Sequence, residues 1–106
     1  MFVAMNQFTV NEGRGPDFEE QWRTRESYLR EVPGFIHFAL LKGDEPGDYV
    51  SHTIWRSRED FLNWAQSEAF RKAHSARSSE GVLAGHPRAR FYEAVITEPG
   101  PVPALS

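Results

Sequence analysis

A chain of 106 residues, 40% hydrophobic and 25% charged, is suited to one globular domain around a single core. Its formal net charge of -3 excludes a general nucleic-acid binder, whose affinity would rest on a basic surface. The absence of cysteine excludes disulfides, thiolate metal sites and thiol nucleophiles.

The N-terminus Met-Phe-Val-Ala-Met-Asn carries no basic leader, and no run nears the ~18 apolar residues of a membrane span. These features predict a cytoplasmic protein with no membrane attachment. Residues 2–10 alternate as a strand. Phe2, Ala4, Asn6, Phe8 and Val10 share one face; Val3, Met5, Gln7 and Thr9 share the other. Asn6 is the polar residue in the middle of an apolar face. Either a neighbouring backbone satisfies its amide, or the amide points at a buried ligand, because a buried amide without a partner costs ~1–3 kcal/mol.

Asn11–Pro16 is a loop that leads into a helix with Pro16 and Asp17 in its first turn. Phe18, Trp22, Arg25, Leu29 and Val32 recur at helical spacing and predict one helix up to the Pro33-Gly34 turn. Arg25 sits mid-stripe, where it either snorkels from a core edge or holds an anion such as a ligand carboxylate. Phe35–Leu41 is apolar on both faces, with Phe35, Ala39 and Leu41 on one side and Ile36, Phe38 and Leu40 on the other. That pattern predicts a strand covered on both sides. Lys42–Asp48 is a hairpin loop and Tyr49–Trp55 the next strand.

Ser57 is an N-cap for a helix that carries Phe61 and Trp64. Ten residues on an unbroken helix would carry His74 ~15 Å from Trp64 and roughly 80° around the axis. Ser67, followed by Glu68, predicts a stop and restart that would let both residues face one pocket. Residues 78–87 form a loop and residues 88–97 a last strand. Residues 1–97 then make the domain, and Pro-rich 98–106 a flexible tail. The order strand, helix, strand, strand, helix, strand is that of an α+β, ferredoxin-like split βαβ domain with a four-stranded antiparallel sheet. Two helices cover one sheet face, and a second copy is the simplest cover for the other. The expectation is a two-fold homodimer, sheet against sheet, forming an α+β barrel.

His37 and His52 lie on central strands without metal-site spacing, and read as structural or surface residues. His86, in a loop before Pro87, reads as solvated. His74 shares a stripe with Phe70, Ala73 and Arg77. It is either a satisfied core histidine or a neutral imidazole suited to axial ligation of a haem iron. No Ser/His/Asp order, glycine-rich phosphate loop or paired carboxylate stands beside it.

Asn6, Pro33-Gly34-Phe35, Thr53-Ile54-Trp55-Arg56-Ser57 and the series Phe61, Trp64, Ser67, Phe70, Ala73, His74 occur together in order. On these anchors the chain resembles, from residue 1 to about residue 97, the haem-degrading monooxygenases of the antibiotic-biosynthesis-monooxygenase superfamily. The resemblance implies haem as both substrate and cofactor, with His74 as proximal iron ligand. It implies Asn6 as a distal hydrogen-bonding group and Trp64 as the residue that presses the porphyrin out of plane. Arg25 would lie near the haem edge or propionates, with Phe8, Trp22, Phe38 and Phe70 as apolar lining. O2 and electrons from an unidentified external reductant would open the ring at a meso carbon, releasing iron and a linear tetrapyrrole. Two other readings stand beside it: a haem-binding or delivery module without turnover, and a cofactor-less monooxygenase of aromatic polyketides or quinols. The stretch Ser75–Pro87 carries no matching motif, which leaves the haem orientation and the product isomer open.

Overall fold

The computed structural model describes residues 1–25, 27–67 and 81–100. Among them are β1 (Phe2–Thr9), α1 (Gly15–Thr24), β2 (Phe35–Lys42), β3 (Asp48–Trp55), α2 (Arg58–Ala65) and β4 (Arg88–Glu93). The strands form one antiparallel sheet in the order β2-β3-β1-β4, which is the ferredoxin-like α+β arrangement.

Alternation sets the inner, helix-facing side of the sheet. Phe2, Ala4 and Phe8 of β1 are buried there, with Tyr49, Ser51, Thr53 and Trp55 of β3 beside them. The core has two lobes. One gathers Phe8, Phe18, Trp22 and Tyr49, the other Phe2, Ala4, Leu29 and Trp55, and Phe38 packs against both. Full burial of side chains such as Phe2 and Trp55 contributes about 1.5–3 kcal/mol each. The polar atoms of Trp55 and Thr53 are paired: Trp55 Nε1 donates to Thr53 Oγ1 at 2.9 Å, and Thr53 Oγ1 donates to the Ala4 carbonyl at 3.1 Å.

Local signals place the second helix. Ser57 Oγ accepts from the Asp60 amide at 3.2 Å, and Glu59 and Asp60 occupy the first turn, where negative charge suits the helix dipole. Gly34, with φ +83°, turns the chain from the preceding segment into β2; a Cβ there would fall on the Asp60 carboxylate. α2 stops at Ala65, and the Ser67 amide and hydroxyl both donate to the Trp64 carbonyl, at 2.9 and 2.6 Å. The stop expected near Ser67 is therefore present. The expected restart, with Phe70 and His74, lies outside the described residues.

Three boundaries differ from the sequence expectation. The first helix ends at Thr24, and Arg25 is extended at φ -67°, ψ 149°. Its guanidinium donates to the Trp22 carbonyl at 3.1 Å, taking up a group that a longer helix would have bonded. Leu29 still reaches the core through a 3-10 turn, Leu29–Glu31, because a spacing of three fits either helix type. In β2 the register shifts between Phe35 and His37. This bulge puts Phe35 on the inner face with Phe38 and Leu40, and leaves His37, Ala39 and Leu41 outside. One extra residue inverts the phase of everything before it. Lastly, β4 ends at Glu93 rather than near Thr97, because its neighbour β1 begins opposite it at Phe2. The Ala94 amide takes the Met1 carbonyl at 2.9 Å, and beyond it Val95 and Ile96 are 95% and 91% exposed.

The outer sheet face remains largely apolar, though through other residues than simple alternation gives. Val3, Met5, Ala39, Leu41, Val50 and Ile54 lie on it with His37 and His52. Among the described residues no helix is long and apolar enough to cross a membrane.

Candidate functional site

A cavity of about 570 Å³ lies between the inner sheet face and the helices. Ala4, Asn6 and Phe8 of β1, Phe38 of β2, Ser51 and Thr53 of β3, and Ala89 and Phe91 of β4 form its floor. Trp22 of α1, Arg25 at that helix's end, and Phe61 and Trp64 of α2 form its sides. Its size and mostly apolar lining with a few polar groups match the usual small-molecule site.

Asn6 stands mid-strand, half-buried, with Ser51 and Ala89 as its cross-strand neighbours. Its amide has no hydrogen bond among the described residues, so no neighbouring backbone satisfies it there. It lines the cavity. Sequence reasoning missed Ser51, which is 7% exposed and lines the cavity beside it. The signal that could have found it is the pairing of β1 with β3, which aligns Asn6 with Ser51.

Arg25 lies over two stacked rings. Trp22 and Phe38 are 5.5 Å apart at 16°, and the guanidinium carbon is 5.0 Å from the first centroid and 4.5 Å from the second. Burial lowers its pKa from the usual value. Among the described residues no carboxylate pairs with it, so its free donors suit an anionic substituent at the cavity edge.

Trp64 rests on the fully buried Trp55, with centroids 5.3 Å apart, and on Phe61 at 6.2 Å. Beyond it lies a smaller cavity of about 370 Å³, bounded by Tyr28, Val32, Pro33 and Asn63. Trp64 is thus a wall between two spaces, backed by the core rather than by solvent. Of the residues the sequence singled out, Asn6, Phe8, Trp22, Arg25, Phe38 and Trp64 line one cavity. Phe70 and His74 lie outside the described residues.

Tyr49, His37 and His52 stand away from the cavity. Tyr49 is buried in the first core lobe, and its hydroxyl donates to Glu19 at 2.5 Å. Burial, then the Glu19 carboxylate, pushes its pKa up to about 12, so it stays a neutral phenol. His37 and His52 lie on the outer face, with the sheet between them and the cavity. Burial, then His37, lowers the His52 pKa. Among the described residues no cluster of three His, Asp or Glu could hold a metal ion.

Residues 1–76 match the sequence profile of the family described as antibiotic biosynthesis monooxygenase. The chain is 35% identical over 86 residues to a mycobilin-producing haem oxygenase of Mycobacterium tuberculosis, covering 78% of this chain and 79% of the relative. It is 30% identical over 81 residues to a staphylobilin-producing haem oxygenase of Staphylococcus saprophyticus, covering 74% and 77%. Among solved structures, the M. tuberculosis haem degrader MhuD with two haems in its active site superposes with a TM-score of 0.76 at 29% identity, covering 93% of this chain and all of that one. SnoaB of Streptomyces nogalater, a cofactor-independent oxygenase, superposes with a TM-score of 0.71 at 21% identity over 93% and 97%, a likeness of fold alone. The sheet order, the helix-covered cavity and the match over residues 1–76 lead to one assignment: the chain belongs to the antibiotic biosynthesis monooxygenase family and is a monooxygenase.

Proposed function

We propose that this protein is a haem-degrading monooxygenase that opens the porphyrin at a meso carbon and releases iron and a linear tetrapyrrole. The observation that carries the reading is the Asn6 amide, without a partner among the described residues, on the wall of an otherwise largely apolar cavity. That arrangement is costly in an empty site and useful in one that binds a polar centre within an apolar ligand. Relatives named as haem oxygenases support it.

In this reading haem is the substrate, and when bound it supplies the iron at which O2 is activated. The protein's own residues bind, orient and exclude water. His74 is the residue we assign to the iron. Asn6 donates from the floor, and Arg25 holds a propionate while its guanidinium carbon sits over the Trp22 and Phe38 rings. Trp64, braced by Trp55, bears on the porphyrin face, and Phe8, Trp22, Phe38 and Phe70 keep the cavity dry. Electrons come from an external donor. The outer sheet face, apolar through Val3, Met5, Ala39, Leu41, Val50 and Ile54, joins a second copy in a two-fold barrel. The compartment is the cytoplasm.

Haemin titration into the haem-free protein, followed by ascorbate with catalase present, tests this. The expected result is a Soret band that forms and then decays in air, with iron released to a chelator. A stable Soret band under reductant and O2 would indicate a haem-delivery module. No uptake of haemin would favour a cofactor-independent oxygenase, and His74→Ala with an unaltered spectrum would remove the ligand assignment.

A further inference from the structure

Ser51 stands directly opposite Asn6 in the β1–β3 register. Alternation turns both side chains to the helix-covered face, where directly opposed Cβ atoms are ~4.5–5.5 Å apart. The other lateral neighbour of Ser51 is Leu40 on β2, so Asn6 is the polar group beside it. Thr53, the next polar side chain along the same face, is already engaged through both its donor and its acceptor. Ser51 has no such partner among the described residues, although it is nearly buried and lines the cavity. Its hydroxyl opens to the cavity instead of closing a hydrogen bond within the fold, as that of Thr53 does.

We infer that Ser51 and Asn6 act as a pair of hydrogen-bonding groups toward one small ligand, and that Ser51 determines which meso carbon is cleaved. The inference rests on the haem reading above. A single donor holds a diatomic molecule but leaves it free to swing about the donor. Two donors on adjacent strands fix its direction as well, and the direction in which O2 is held relative to the ring decides which bridge carbon it meets. Asn6 then serves retention, and Ser51 serves aim. Removing one hydrogen bond of ordinary strength changes an equilibrium or a product ratio by about five- to tenfold.

The test uses the haem-loaded protein with azide and carbon monoxide as probes, together with chromatographic separation of the tetrapyrrole isomers. Ser51→Ala is expected to bind haemin within twofold of the parent and to keep its melting temperature. It should lose about five- to tenfold in azide affinity, shift the C–O stretching frequency and redistribute the product isomers. Ser51→Thr, which keeps the hydroxyl, should restore the parental stretch and isomer ratio. Parental azide affinity, stretch and isomers in Ser51→Ala, while Asn6→Ala alters the first two, would overturn the inference and leave the haem reading intact. A parent protein that takes up no haemin would overturn both. Loss of haem affinity and melting temperature together in both Ser51 variants would make the role structural, and would overturn it also.

Discussion

Replacing Asn6 with leucine should stabilise the haem-free protein. The side chain is half-buried and lines the cavity, with no hydrogen bond to its amide among the described residues. A fully buried amide in that state costs ~1–3 kcal/mol. Half-burial leaves some hydration, so about half that range applies, and leucine of similar volume adds apolar contact with Phe8 and Ala4 on the same face. The expected gain is about 1 kcal/mol. For a domain of this size that is a rise in Tm of about 4 °C. Scanning calorimetry and urea unfolding measure it, and the protein must be haem-free because a ligand that binds only the folded state raises Tm by itself. The same variant, loaded with haemin, should lose about tenfold in degradation rate, the equivalent of one charge-assisted or well-oriented hydrogen bond. A Tm at or below that of the parent would refute the reasoning, since it would mean that the amide is satisfied in the empty site.

Other outcomes follow from single contacts. Arg25→Lys should weaken haemin binding by about five- to tenfold, because lysine keeps the charge but loses the guanidinium's forked donors and its contact with the Trp22 and Phe38 rings; Arg25→Met, which keeps an unbranched apolar stem, should weaken it at least as much in the same titration. Burial and His37 depress the His52 pKa, so the neutral form is favoured in the folded state. Its contribution is present above the unfolded value of about 6.5 and is lost as pH falls through the lower folded value. Tm measured from pH 8 to 5 should therefore drop, and His52→Gln should flatten the drop. The Tyr49 pKa is raised to about 12, so the sign reverses: its contribution is full below about 10 and is lost as pH rises through 12, and Tyr49→Phe should remove the highest-pH phenol from an ultraviolet titration. Val50→Lys, on the apolar outer face, should shift sedimentation from dimer to monomer with the haemin affinity of each chain changed by less than the Arg25 variants change it.

Much of the fold was legible because its signals are local. The faces of β1 follow from strict alternation, the start of α2 from Ser57 and its following acids, and its stop from the same carbonyl that Ser67 caps twice. What was not legible depends on neighbours distant in sequence. The bulge at Phe35–His37 carries no glycine to announce it, yet it moves Phe35 from the outer face to the inner one. β4 stops where β1 begins, a fact about residue 2 rather than residue 93. Leu29 and Val32 suit α-helix and 3-10 turn equally, so the early end of α1 was hidden by a spacing both geometries share.

The site divides in the same way. Asn6 was visible because it breaks an apolar alternation within one strand. Ser51 was not, because β3 places Val50, His52 and Ile54 against Ser51 and Thr53, so the more polar-looking face of that strand is the buried one. Only the ends of the strand, Tyr49 and Trp55, betray the inner side. Thr53 and Ser51 are two residues apart on that face and differ in one respect: Thr53 is paired within the fold, whereas Ser51 is unpaired among the described residues. A polar group whose hydrogen bonds close within the core explains its own burial. A pair left open toward a cavity, Asn6 and Ser51 on adjoining strands, does not, and folding gains nothing from it. What the cavity binds supplies those partners, and the empty protein should become more stable when Asn6 is made apolar because leucine needs none.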